Sequence, residues 1–131
     1  MADILTPERF FLDASAERFE WGENDCVHIA DRWATVHFGR SFVEHSAQRY
    51  HSEAGAIVMA LAWPLPVWVA RAMRRAGFWR VNEAAPGDIG VIVHGRLMVC
   101  AVRGSGMWLY RQNRGVGGTR EDVRVLGLWR G

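Results

Sequence analysis

The sequence predicts an α+β domain in which helices come first and an antiparallel sheet follows. Two observations predict this class. Apolar residues recur at helical spacing through the first half of the chain, and after Pro86-Gly87-Asp88 they fall into short β-type runs separated by glycine turns. The chain has 131 residues, 50% of them apolar, which is enough to close one hydrophobic core. We therefore expect a single domain over residues 1–131, helical to about residue 80 and β from about residue 86 onward.

The helical half opens with a marked helix start. The Thr6 hydroxyl can cap the helix, Pro7 stands where its missing N–H costs nothing, and Glu8 lies near the positive end of the helix dipole. This helix is expected to end near Arg18. Three more helices are expected: Cys26 to Gly39, Ser52-Glu53 to about Trp63, and Pro64 to Arg75 with Gly77 as its terminator.

The β half contains four apolar runs. They are Ile89 to Val93, Leu97 to Val102, Met107 to Tyr110, and Val123 to Trp129. Glycine-containing turns separate them, so we expect an antiparallel meander. The segment from Gly115 to Gly118 lacks the strand and helix that flank a phosphate-binding loop, and it is interpreted as a flexible connection.

Composition and charge exclude several classes of protein. The most apolar run, from Ala56 to Ala72, is interrupted by two prolines and Arg71, so no membrane span is expected. The N-terminal segment lacks the basic start and apolar block of a signal peptide. The net charge is +2, from 16 basic residues that are all arginine and 14 acidic ones. No long basic stripe occurs, so nucleic acid is not an expected partner.

The two cysteines, Cys26 and Cys100, are expected to be free thiols because the sequence shows no secretion signal. Neither has a second cysteine at two-residue spacing, and the five histidines do not pair into a zinc pattern. We therefore expect no metal ion and no other cofactor.

The segment Trp21-Gly22-Glu23-Asn24-Asp25-Cys26 carries the clearest chemical signal in the chain. A thiol in the first turn of a helix meets free backbone N–H groups and the positive end of the helix dipole, and both favour the thiolate. Asp25 opposes this effect, because its negative charge disfavours a second anion beside it. Cys26 is therefore either a nucleophile or a buried structural cysteine.

Five segments follow one another along almost the whole chain: Trp21 to Cys26, then Asp31, Tyr50 to Ala56, Ala85-Pro86-Gly87-Asp88, and Leu128-Trp129-Arg130. This series resembles the NlpC-type cysteine peptidases of the papain-like fold, and most closely a small branch of uncharacterised phage and prophage proteins. The resemblance implies a nucleophile at Cys26, on a helix packed against an antiparallel sheet that supplies a histidine base. The implied reaction is attack on an amide of peptidoglycan stem peptides through an acyl-enzyme.

The histidine is the point at which the sequence departs from that family. In active members it begins the strand after the Pro-Gly-Asp strand, a position that falls here on Arg96 or Leu97. Neither side chain can accept a proton at neutral pH. The nearby histidine is His94, which reaches the sulfur if a two-residue register shift or a bulge intervenes, and is otherwise a solvated turn residue beside Gly95. Cys26 and, provisionally, His94 are the candidate catalytic residues.

Other polar residues near these motifs have structural interpretations. His28 is expected to make a partly buried polar contact, Trp21 to anchor its loop under the helix, and Asp88 to bond the backbone of its own turn. Asp31 is expected to orient a turn, to form a buried ion pair or to take part in catalysis. Cys100 alternates with core positions and should be interior.

The resemblance leaves two main functions open, and a thiol-dependent transferase on the same fold is a third. The first is a phage or prophage tail-associated protein with a degenerate NlpC-like site, bound to other tail or tail-tip proteins and located in the virion or, before assembly, in the bacterial cytoplasm. The second is an active cysteine endopeptidase or amidase that cleaves peptidoglycan peptides with Cys26. An enzyme needs a groove with a base in reach of the sulfur. An assembly protein needs an exposed apolar patch, for which Trp63, Trp68 and Trp79 are candidates.

Overall fold

The protein consists of helices followed by a six-stranded antiparallel sheet, which confirms the predicted α+β class. A computed structural model of the chain describes residues 5–22, 25–46, 52–56, 64–112, 115–120 and 122–131. Three α-helices are described over their whole length: α1 (Pro7–Ala14), α2 (Cys26–Phe38) and α3 (Leu65–Ala76). A 3-10 turn spans Val43–His45. None of the helices in these ranges has the length and apolar character needed to span a membrane.

The helix boundaries follow from their caps. The backbone N–H of Arg9 donates to Thr6 Oγ1 at the start of α1, and Gly39 and Gly77 take left-handed backbone conformations that end α2 and α3. These starts and ends agree with the sequence prediction. Of the helix expected from Ser52-Glu53, residues 53–56 are helical, and its remainder up to Trp63 lies outside the described residues.

The first helix is shorter than predicted, because it ends at Ala14 and not near Arg18. Ser15 Oγ donates to the Leu12 carbonyl at 2.6 Å, and the Arg111 side chain donates to the Ala14 carbonyl at 2.9 Å. These donors satisfy carbonyls that another helical turn would have used. The end of α1 is thus set partly by a residue distant in sequence.

The strands are β1 (Trp79–Arg80), β2 (Ile89–His94), β3 (Leu97–Arg103), β4 (Trp108–Gln112), β5 (Gly115–Thr119) and β6 (Arg124–Arg130). Their order in the sheet is β1-β6-β2-β3-β4-β5, with antiparallel neighbours throughout. The expected meander is therefore correct for β2, β3 and β4 and wrong for β6, which lies between β1 and β2. The two-residue strand β1 was not predicted.

The segment from Gly115 to Gly118 is not the flexible connection that its composition suggested. It forms most of β5 and pairs with β4 along its whole length, from Gln112↔Gly115 to Trp108↔Thr119. A Cβ at Gly117 would lie 2.5 Å from Gln112 Nε2 and 3.0 Å from the Tyr110 ring. Glycine is needed here because neighbouring side chains occupy the space above the strand, and not because the backbone must be mobile.

The helices pack on one face of the sheet, where the main hydrophobic core lies. Residues of α1, α2 and α3 share this core with alternate strand residues, among them Ile89, Val91, Cys100, Val102 and Trp129. A smaller apolar cluster occupies the other face and contains Ile92, Ala101, Trp108, Tyr110 and Leu128. Cys100 is fully buried, as predicted. The sheet therefore has a helix face and an opposite face, which these two clusters define.

A buried tryptophan fixes α2 to the sheet. Trp33 is fully buried, and its indole N–H donates to the Gly87 carbonyl at 2.8 Å. Gly87 has a φ of 96°, and a Cβ there would lie 2.9 Å from Nε2 of His37, which stacks on Trp33. The turn before β2 is thereby held against α2, which positions the start of that helix over the sheet.

Candidate active site

The helix that carries Cys26 begins where it does because Asp25 caps it. Asp25 Oδ1 accepts hydrogen bonds from the backbone N–H groups of Val27 at 3.1 Å and His28 at 2.9 Å. Its second oxygen accepts from the Gly22 N–H at 2.8 Å, and Gly22 has a φ of 84° that favours glycine. The carboxylate thus closes the turn before α2, and Cys26 lies in the first turn, as predicted.

Asp25 is almost completely buried and remains charged through its partners. Burial acts to raise its pKa, but hydrogen bonds from His28 and from the backbone of Gly22 outweigh burial and hold the pKa below the usual value for an aspartate. His28 Nδ1 lies 2.9 Å from Asp25 Oδ1, so the expected partly buried polar contact of His28 is made with this carboxylate. A fixed negative charge therefore stands beside Cys26.

The surroundings of Cys26 favour the neutral thiol. The pKa of this thiol is raised to about 11, chiefly by desolvation and further by the negative charge of Asp25. A hydrogen bond with the Cys100 backbone acts to lower the pKa but does not offset the rise. Both cysteines are free, as the sequence predicted. Because the thiolate is the reactive form, a sulfur that stays protonated at neutral pH is a poor nucleophile. The helix N-terminus does not overcome burial here.

The register of the β2–β3 hairpin decides which residues of β3 face Cys26. Val91 pairs with Cys100 and Val93 with Met98, so Cys100 and Met98 both point toward the helix face. Leu97, which pairs with His94, points to the opposite face, and Arg96 lies in the turn. On β3, the helix-side residue that lines a cavity together with Cys26 is thus Met98, whose thioether is no base at neutral pH.

This cavity has a volume of about 360 Å³ and lies where β3 and β4 separate. The two strands pair only at Val102↔Leu109 and Arg103↔Trp108, so toward the β2–β3 turn a gap opens between them. Side chains from both faces of the sheet meet in this gap. Eleven of the described residues line it: Phe19, Trp21, Asp25, Cys26, His94, Leu97, Met98, Val99, Tyr110, Arg111 and Gln112.

His94 ends β2 and is not the solvated turn residue that its neighbour Gly95 suggested. Successive side chains of a strand point to opposite faces, and Val91 and Val93 point to the helix face. His94, which follows Val93, therefore projects toward the face opposite the helices. Its Nδ1 lies 2.8 Å from the Tyr110 hydroxyl, so it is partly buried and held in place. His94 and Cys26 line the same cavity, but among the described residues no hydrogen bond joins them.

The register shift or bulge that would bring His94 to the sulfur is not found in the β2–β3 hairpin. An irregularity does occur between Val91 and Ile92, but it lies in the pairing with β6, where Leu126 is the extra residue. The pairing of β2 with β3 is regular from Ile89↔Val102 to His94↔Leu97. The face that His94 occupies is therefore set by an uninterrupted hairpin.

Arg111 is the site residue that the sequence analysis missed. Its side chain is 4% exposed, and it donates to the carbonyls of Ala14 at 2.9 Å and Glu17 at 2.5 Å. Its Nε is buried without a hydrogen-bond partner. No local pattern marks this residue, because its partners are 97 and 94 positions away in the chain. Arg111 joins the end of α1 to β4 and forms part of the cavity wall.

The other residues of the sequence motifs have structural contacts. Asp31 accepts from Ser41 Oγ at 2.7 Å and from the backbone N–H groups of Phe42 at 2.7 Å and Val43 at 3.0 Å, so it organises a turn. Trp21 packs edge-on against Phe19 at the cavity wall. Glu23, Asn24, Tyr50 and His51 lie outside the described residues.

Asp88 does more than close its own turn. It accepts from the Ala85 N–H at 2.8 Å, as predicted, and also binds the Arg130 guanidinium through two contacts of 2.7 Å. The Pro-Gly-Asp and Trp-Arg segments of the sequence therefore meet in space, across the start of β2 and the end of β6. This ion pair secures the sheet at the end away from Cys26.

The described residues define an α+β domain in which a helix-borne cysteine faces an antiparallel sheet and shares a cavity with a histidine. Within these residues, no three His, Cys, Asp or Glu side chains are grouped as a metal ion would require. Residues 6–130 match the family described as Domain of unknown function (DUF6950), and the chain belongs to that family. No curated protein and no solved structure matches the chain.

Proposed function

We propose that this chain is a phage or prophage tail-associated protein with a papain-like, NlpC-type fold whose cysteine site is degenerate. In this proposal the helix and sheet of a cysteine peptidase are retained as a scaffold that binds other tail or tail-tip proteins. The motif series from Trp21 to Arg130 supports the NlpC-type fold and the phage branch. The geometry around Cys26 supports the loss of catalysis.

The observation that carries the proposal is the chemistry of the β3 side chain that lines the cavity from the helix side. Hydrolysis by a cysteine needs a base within hydrogen-bond reach of the sulfur to form the thiolate. The helix side of β3 presents Met98 at this cavity, and the imidazole of His94 is engaged with Tyr110 from the other face. A thioether cannot take up the thiol proton.

The distribution of exposed apolar residues supports a role in assembly. Of the three tryptophans considered for an apolar patch, Trp68 is buried in the core, Trp79 is 72% exposed, and Trp63 lies outside the described residues. A large aromatic side chain exposed to this degree on an edge strand offers apolar contact area to a partner protein.

An active cysteine peptidase is the second candidate, and one observation favours it. Cys26 and His94 line one cavity of about 360 Å³, large enough for part of a peptide. In this candidate, a rearrangement at the gap between β3 and β4 moves the imidazole of His94 from the opposite face of the sheet to the sulfur. In that case Cys26 would attack an amide of a peptidoglycan stem peptide, with His94 as its base.

Alkylation of Cys26 against pH, followed by peptide mass spectrometry, separates the two candidates. In the degenerate site, Cys26 reacts slowly at neutral pH, accelerates only toward its pKa of about 11, and is unaffected by His94→Ala. Cys100 is fully buried, so its labelling reports any unfolding of the protein.

Two histidine substitutions on neighbouring positions of β3 test the geometry directly. Met98→His places an imidazole on the helix face and should raise the alkylation rate of Cys26 at neutral pH, whereas Leu97→His places one on the opposite face and should not. Rapid alkylation of the unmodified protein at neutral pH, slowed by His94→Ala, would instead establish the peptidase. Equal effects of the two histidine variants would contradict the assignment of faces.

A further inference from the structure

A basic groove lies at the sheet edge formed by β1 and β6, next to α3. It has a volume of about 580 Å³ and an apolar floor that includes Phe78, Leu126 and Trp129. Three arginines line it, Arg71, Arg74 and Arg80, and none of the described residues in its lining is acidic. The groove therefore combines apolar contact area with an excess of positive charge.

The strand beside this groove has a free edge within the described part of the chain. β1 pairs with β6 on one side, through Trp79↔Arg130 and Arg80↔Trp129, and it is the first strand in the sheet order. The Val81 N–H donates to the Leu128 carbonyl at 3.0 Å, so backbone groups at alternate positions point toward β6. The N–H and C=O of Arg80 consequently point away from the sheet, where a further strand could pair.

The two residues of β1 present different chemistry on its two faces. Arg80 lies on the groove face, with its guanidinium carbon 5.8 Å from the centre of the Trp129 ring. Trp79 lies on the other face and is 72% exposed. A strand added at this edge would thus meet positive charge on one face and an indole ring on the other.

We propose that this edge is the docking site for an extended, acidic segment of a partner protein, which adds to the sheet beside β1. Its acidic side chains lie over Arg74 and Arg80, and the apolar side chains between them contact Trp79. The partner segment therefore alternates acidic and apolar residues with a period of two, because successive side chains of a strand point to opposite faces. A polypeptide fits this surface better than nucleic acid, since only a polypeptide can pair with the free backbone groups of Arg80.

The probe is a fluorescein-labelled peptide of alternating glutamate and valine, compared by fluorescence anisotropy with a peptide of the same composition in Glu-Glu-Val-Val blocks. The alternating peptide should bind more tightly. Arg74→Glu should weaken its binding by roughly fivefold, since charge reversal replaces an exposed ion pair with a repulsive one. Arg75→Glu is the matched control, because Arg75 follows in the same helix, is exposed and does not line the groove.

Several outcomes would overturn the proposal. Equal losses in the Arg74 and Arg75 variants would mean that binding is unspecific charge attraction. Equal affinity for the two peptides, or no binding of the alternating one, would contradict pairing at the edge. A single-stranded oligothymidylate of about ten nucleotides that binds more tightly than the peptide and displaces it would assign the groove to nucleic acid. None of these measurements depends on the reactivity of Cys26, so this proposal and the degenerate-site proposal can fail independently.

Discussion

Replacing Asp25 by asparagine or by alanine separates the two roles of this carboxylate. It accepts hydrogen bonds from the N–H groups of Gly22, Val27 and His28, and it places a negative charge beside Cys26. Asparagine keeps one oxygen that can cap α2, but it loses the charge and turns an amide NH₂ toward Gly22. Alanine removes every acceptor.

The expected losses of stability differ between the two variants. Loss of an N-cap residue costs about 1 kcal/mol, and each buried group left without its partner costs about 1–3 kcal/mol. Asp25→Ala removes the helix cap and the carboxylate that binds the Gly22 N–H and His28 Nδ1, so we expect a loss of about 3 kcal/mol or more. Asp25→Asn retains the cap and should lose about 1–2 kcal/mol.

The difference between the wild type and Asp25→Asn should depend on pH. The pKa of Asp25 is lower in the folded protein than its usual value of about 3.9 in an unfolded chain. Such a group stabilises the folded state at pH values above its unfolded pKa, and this contribution is lost as the pH falls through the folded pKa. The free energies of unfolding should therefore differ most at neutral pH and converge in acid.

Urea denaturation followed by tryptophan fluorescence, at neutral pH and near pH 3, measures both effects, since the chain contains seven tryptophans. In the same variants, removal of the Asp25 charge should lower the pKa of Cys26 from about 11 and speed its alkylation. An Asp25→Asn protein as stable as the wild type at neutral pH would refute the reasoning. So would a difference that widens in acid.

Two further substitutions test the fold around the site. Asp31→Ala removes the acceptor for the backbone N–H groups of Phe42 and Val43 and should destabilise the protein by about 2 kcal/mol. Hydrogen exchange at these two amides should also become faster. Asp13→Ala, on an exposed part of α1, is the control and should have little effect. Gly90→Ala would place a Cβ 2.9 Å from the Trp108 ring and 3.2 Å from the Gly127 carbonyl oxygen. The free energy of unfolding, measured by urea denaturation, should therefore fall by about 1–3 kcal/mol. An unchanged denaturation midpoint would contradict the packing described.

Features that depend on local chemistry could be predicted from the sequence. The Thr6 cap and the terminators Gly39 and Gly77 act within one helical turn, and the structure places all three as expected. The position of Cys26 in the first turn of α2 follows for the same reason. The placement of β6 between β1 and β2 could not be predicted, because it depends on pairing between residues about 50 positions apart.

The chemistry of the cavity was harder to predict than the position of its cysteine. The sequence suggested a turn at His94-Gly95, whereas the hairpin turns at Gly95-Arg96 and His94 belongs to the strand. A difference of one residue moves every side chain of a strand to the other face. Whether a histidine or Met98 lines the cavity from the helix side thus depends on a register that composition and spacing do not fix.

The insertion of β6 has a consequence for how the chain reaches its folded state. Until β6 docks, both β1 and β2 present unpaired backbone to solvent, and the contacts that close the sheet join residues 79–80 to residues 129–130. Joining residues so far apart in the chain costs loop entropy before the hydrogen bonds of β6 form. A chain in which β6 has not docked would leave β1 without its strand partner and one edge of β2 open, and unpaired strand edges of this kind favour aggregation.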